Sequence, residues 1–93
     1  MENELKILRK EIDEIDSKLM ELFVLRMQIA EKIAKIKYDN NIKITNKERE
    51  KEIKSKIENH PIHIVKNYYE PVNNALIKAS KKYQEDLIKT NFR

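Results

Sequence analysis

Leu5, Leu8, Ile12, Ile15, Leu19, Leu22, Ile29, Ile33 and Ile36 recur at alternating steps of three and four, and no glycine or proline interrupts them. That spacing is the seam of one long amphipathic helix over about the first 38 residues, and Asp39-Asn40-Asn41 supplies its first stop signal. At 1.5 Å per residue the helix spans on the order of 50 Å, whereas a small domain is about 30 Å across. A helix of this length projects beyond its own chain's core, so its seam needs a partner, most simply the same helix of a second copy. A monomer would leave a large apolar stripe in water. The expectation is an all-α fold in which residues 1–93 form a single domain and two chains interlock as an intertwined helical homodimer.

The rest of the chain continues in helical periods. Residues 38–44 read as a connection. Thr45 and Glu48 stand at capping-box spacing, where hydroxyl and carboxylate satisfy backbone donors at a helix start. A short middle helix is expected from there to Glu58, with Glu50, Ile53 and Ile57 on one face, ended by Asn59-His60-Pro61. A C-terminal helix, the third, is expected from about Ile62 or Val65 to Ile88, carrying the stripe Val65, Tyr69, Val72, Leu76, Ala79, Tyr83 and Leu87. Pro71 falls inside that stripe, so the helix either restarts there or kinks. Residues 90–93 are expected to fray.

Composition narrows the chemistry. Glycine and cysteine are both absent, which removes Gly-rich phosphate cradles, thiolate nucleophiles, disulfides and the common zinc ligand sets. No signal-peptide pattern and no apolar run of about 18 residues is present, so no membrane span is expected, and a cytoplasmic location fits. The net charge of +4 comes from 20 Lys and Arg against 16 Asp and Glu. The signs are interleaved, as in Glu48-Arg49-Glu50-Lys51-Glu52, whereas a nucleic-acid surface shows a patch of one sign. Nucleic acid is therefore not an expected partner. His60 and His63 have no acidic neighbours at ligand spacing, so no metal site is expected, and no Ser-His-Asp or paired-carboxylate arrangement stands out.

Arg26 is the informative anomaly, because it is the one charged position in the apolar seam. A guanidinium there needs carboxylates or an anionic ligand; a buried ion pair or a register-setting polar residue is the plain alternative. Lys37 lies eleven residues on, three full turns, within about 20° of the same face. Ala30 and Ile33 between them can floor a shallow pocket. Arg9 points about 100° away on the same helix, so it does not easily serve the same pocket in its own chain but can reach a site formed with a partner. Arg49 and Glu50 sit beside the expected cap, with an ordinary exposed face as their alternative reading. Ser80 and Gln84, four apart on the last helix, lie one above the other. Together the cations suggest an anion-binding cleft shared between subunits.

These pieces, in order, resemble the all-helical AroQ-type chorismate mutases. The matching stretches are L-R-K-E-I-D-E-I-D around Arg9, Arg26, I-A-K-I-K ending in Lys37, N-K-E-R-E around Glu50, and S-K-K-Y-Q around Gln84. They cover about residues 5 to 88. The resemblance implies a cofactor-free pericyclic conversion of chorismate into prephenate, in phenylalanine and tyrosine biosynthesis. It also implies roles: Arg9 of the partner chain and Arg26 hold the substrate carboxylates, Lys37 and Gln84 donate to the ether oxygen, Glu50 accepts from the ring hydroxyl, and Arg49 and Ser80 line the site. Asn46 stands where many members have Asp near the ring hydroxyl, which implies a weakened contact. A start at Met1 and a basic end favour an independent protein over a segment of a multifunctional enzyme. Two rivals remain. One is an isochorismate pyruvate lyase-like enzyme, disfavoured because the Arg49-Glu50 pair is lacking in the lyases. The other is a non-catalytic helical dimerisation or regulatory domain, which would share the seam without needing the polar set.

Overall fold

A computed structural model describes residues 1–90 and 92 of the chain, and among these every regular element is helical. The helices are α1 (Glu2–Asp39), α2 (Lys47–Glu58), α3 (His63–Tyr68) and α4 (Glu70–Thr90). The long first helix ends where the asparagines stop it. Asn40 N–H and Asn41 N–H bond back to Ile36 O and Tyr38 O, and Asn41 takes a left-handed φ of 56°, a conformation its short polar side chain tolerates.

Three expectations need correction. The expected third helix is two, which makes four helices among the described residues. Pro71 has no N–H for the Asn67 carbonyl and its ring crowds that carbonyl, so the hydrogen-bond ladder breaks just before it. Tyr69 nevertheless stays in the right-handed region (φ −82°, ψ −23°). Its N–H bonds Val65 O at 3.1 Å and its carbonyl receives Asn73 N–H at 3.0 Å. The axis bends there and α4 restarts with Pro71 in its first turn. The second correction is the cap of α2: it is Asn46, not Thr45. Asn46 is extended (φ −122°, ψ 98°), and its Oδ1 accepts Arg49 N–H at 3.0 Å. Asparagine outranks threonine at this position, and the one-residue shift puts Arg49 rather than Glu48 where a capping box needs its carboxylate. Third, the last helix runs to Thr90 rather than ending at Ile88, and the Phe92 ring beyond it lies 5.8 Å from that of Tyr38. Asn91 and Arg93 lie outside the described residues.

Packing is sparse. α1 lies mainly against α4, through the small residues Ala30 and Ala34, four apart and both buried. On α4, Gln84 and Leu87 are also buried. Ile57 of α2 completes the buried apolar set among the described residues, of which no large side chain is fully enclosed. Every residue from Met1 to Leu25 is exposed, including the seam leucines and isoleucines. The chain measures 57 × 31 × 14 Å with a radius of gyration of 17.1 Å, against about 12 Å for a compact chain of this length. No helix among the described residues is long and apolar enough to cross a membrane.

Candidate active site

The C-terminal third of α1, the connection after it, α2 and the middle of α4 enclose a cleft of about 510 Å³. Of the eight residues singled out from sequence, seven line it: Arg26, Lys37, Asn46, Arg49, Glu50, Ser80 and Gln84. Ala30 and Ile33 line it between the two α1 cations, where the helical repeat sets them. Arg9 does not line it. It is exposed in the N-terminal half of α1, roughly 26 Å along the axis from Arg26.

The two α1 cations are each held by one hydrogen bond to a backbone carbonyl. Arg26, half-buried, donates from Nη1 to the Leu76 carbonyl at 3.3 Å, which ties α1 to α4 and replaces the carboxylate partner that the plain alternative required. Lys37 donates from Nζ to the Ile44 carbonyl at 2.6 Å. The left-handed turn at Asn41 and the bond from Ile42 N–H to Lys37 O at 2.8 Å bring Ile44 back to it. Both residues keep further N–H donors, since a guanidinium has five and an ammonium three. Arg49 points elsewhere for its side-chain pairing. Its guanidinium meets Glu52 at 3.1 Å on the exposed face of α2, a pair of the kind that contributes little.

The polar side of the cleft comes from α4 and α2. Gln84 is only 6 % exposed. Its Nε2 donates to Ser80 Oγ at 3.4 Å, while its Oε1 is enclosed without a partner. A half-turn of the amide would let the Ser80 hydroxyl donate to Oε1 and free the NH₂. The Glu50 Oε2 is likewise shut from solvent and receives no hydrogen bond. The Lys81 ammonium stands 3.0 Å from that oxygen, at an angle that makes an ion pair without a formed hydrogen bond.

Lys81 also lines the cleft, and sequence reasoning missed it. The signal was present: Ile77, Lys81 and Gln84 stand four and three apart on α4, the spacing of one helix face. Adjacent Lys82 pairs with Asp86 at 3.0 Å on the outside, where hydrogen bonding and the Asp86 charge raise its pKa above the ordinary lysine value. The Lys81-Lys82 dipeptide thus divides between cleft and solvent.

Among the residues that line the cleft, Lys81 is paired with the one carboxylate, Glu50, and Arg49 with Glu52 outside it, which leaves Arg26 and Lys37 without a carboxylate partner and suits the cleft to an anion. Glu50 adds a hydrogen-bond acceptor from α2, and Ser80 and Gln84 add neutral polar groups from α4. The model of one protein family, chorismate mutase type II, matches residues 8–85. The chain belongs to the chorismate mutase type II family. The bifunctional chorismate mutase/prephenate dehydratase of Aquifex aeolicus (strain VF5) is 48 % identical over 54 residues, which are 58 % of this chain and 15 % of that protein. The match therefore spans a small part of the relative's length. No solved structure matches the chain.

Proposed function

We propose that the cleft converts chorismate into prephenate by electrostatic stabilisation, without a covalent intermediate. The observation that carries this reading is that Arg26, Lys37, Glu50, Ser80 and Gln84 face one cleft from three helices, in a chain of the chorismate mutase type II family. Chorismate is a dianion, and folding it into its reactive cyclic conformer requires its two carboxylates to be clamped. Arg26 takes one, and Arg9 of a second copy takes the other. As the ether C–O bond breaks, negative charge collects on the ether oxygen. Fixed donors aimed at that oxygen favour the transition state over the substrate. Lys37 and the NH₂ of Gln84 fill that role. Glu50 accepts from the ring hydroxyl. Arg49 and Ser80 line the pocket, and Asn46 is occupied mainly in capping α2.

The working unit in this reading is an intertwined homodimer in the cytoplasm, within phenylalanine and tyrosine biosynthesis. Its support is the wet seam: Leu5, Leu8, Ile12, Ile15, Leu19 and Leu22 are all exposed in one chain, an apolar stripe at helical spacing that a second copy would cover. The deciding experiment follows chorismate disappearance by absorbance with the purified chain, in parallel with isochorismate. Rapid loss of chorismate with prephenate as product is expected. Pyruvate release from isochorismate would favour the lyase-like reading, and no turnover of either would favour a scaffold.

A further inference from the structure

Glu50 is placed where it can read a hydroxyl, yet nothing on its own helix holds its carboxylate in that position. Of its neighbours on α2, Arg49 turns out toward Glu52, and Lys54 pairs with Glu58 at 3.9 Å. The side chain that reaches Glu50 comes from α4. Lys81 Nζ lies 3.0 Å from Glu50 Oε2, and the two side chains are 30 % and 34 % exposed, while the oxygen itself is enclosed and receives no hydrogen bond. α2 and α4 are not closely packed along their backbones, so this ion pair spans a gap that backbone packing does not fix. A carboxylate with one enclosed oxygen and no partner would swing outward to recover hydration. The ammonium keeps it in the cleft.

We infer that Lys81 is a positioning residue for the reaction: it holds the Glu50 carboxylate in place so that the other oxygen meets the ring hydroxyl of the substrate. This inference rests on the chorismate reading of the site. It is independent of the clamps, since Arg26 and Lys37 make their local bonds to Leu76 and Ile44 on other parts of the cleft. Lys81 acts through Glu50 and not on the ether oxygen. The hydroxyl contact is made in substrate and transition state alike, so its loss falls on KM more than on kcat.

The test is steady-state kinetics with chorismate on Lys81→Met, Lys81→Arg, Glu50→Gln and the double variant Lys81→Met/Glu50→Gln. Methionine keeps the stem's packing and removes the charge. Lys81→Met is expected to raise KM about tenfold with kcat within about threefold, the scale of coupling between contacting residues. Lys81→Arg is expected to recover most of that loss. In the Glu50→Gln background, removing the Lys81 charge is expected to change KM by less than about twofold, because the group it positions is already gone. A merely structural Lys81 would lower the active fraction, reducing apparent kcat at unchanged KM. That pattern, a wild-type KM in Lys81→Met, or the full tenfold effect persisting in the Glu50→Gln background would each overturn the inference. A wild-type chain that consumes no chorismate would instead overturn the reading of the site, and this inference with it.

Discussion

Lys37→Ala gives the sharpest test of the proposed chemistry, because the structure separates what the residue does for the fold from what it does for the reaction. Within the chain its ammonium makes one hydrogen bond, to the Ile44 carbonyl at 2.6 Å, leaving two N–H donors for the cleft. Deleting the side chain frees a carbonyl in a half-buried connection, where water can replace the lost donor, so the stability loss belongs near the low end for a bond to a charged group, about 1 kcal/mol. For a domain of this size that lowers the melting temperature by roughly 4–8 °C. The catalytic loss is larger. Removing one donor from a developing oxyanion lowers turnover about 10²–10³-fold, and a charged donor belongs at the upper end because charge-assisted hydrogen bonds are roughly twice as strong as neutral ones.

The expected result is therefore a kcat about 10³ below wild type with a folded protein and a modest shift in melting temperature. Initial rates of chorismate loss over a range of substrate concentrations, with circular dichroism melts on the same preparations, measure both. The fall must appear in kcat, since the charge on the ether oxygen grows only in the transition state. Lys37→Ala with turnover within about tenfold of wild type would refute the assignment. So would a thousandfold loss that tracks a collapse of the melting transition.

Gln84 carries no titratable proton, so Gln84→Glu is expected to introduce a pH dependence at this position: the new carboxyl donates to the ether oxygen only while protonated. Its rate should fall as pH rises through the titration of that carboxyl, and a pH profile parallel to wild type would remove Gln84 from the donor pair. Leu19→Lys tests the seam. Leu19 is 57 % exposed in the single chain, where such a change moves stability by no more than about 0.5 kcal/mol. Between two packed copies it buries an unpaired charge, so sedimentation is expected to show dissociation together with loss of helicity, and an unchanged sedimentation profile would argue for a monomer.

Much of this architecture is readable from residue spacing, and the failures have physical causes. The α1 seam is legible because nine apolar residues keep the helical period without a breaker, and Arg26 and Lys37 share a face by the same arithmetic. The bend at Tyr69 was signalled by Pro71. Whether the chain restarts or kinks, however, depends on backbone bonds such as Asn73 N–H to Tyr69 O, which no residue type dictates. Thr45 and Asn46 are both competent caps one residue apart, and the choice lies in the dihedral angles. Phe92 reads as part of a polar tail, and only the nearness of the Tyr38 ring gives it a place. Lys81 was hidden among surface lysines because its partner, Glu50, lies on a helix 31 positions earlier in the sequence. Pairings between distant segments have no period to announce them.

The exposed half of α1 bears on both stability and chemistry, and one experiment joins the two. Two copies of α1 (Glu2–Asp39) laid antiparallel about their midpoint set Arg9 of one level with the stretch between Arg26 and Lys37 of the other, since position along a helix scales with residue number. In the proposed dimer the exposed seam would be covered and Arg9 brought to the other chain's cleft by the same contact. On this geometry each site takes Arg9 from one chain and Lys37 from the other. Arg9→Ala and Lys37→Ala homodimers should each be nearly inactive. Unfolded together in equal amounts and refolded, half the dimers are mixed, and each mixed dimer holds one site with both cations intact. Activity should return to about a quarter of wild type, as two-fold symmetry requires. Recovery no greater than the sum of the separate variants would place Arg9 and Lys37 in the same chain's site or Arg9 outside the reaction, and the shared cleft would fall.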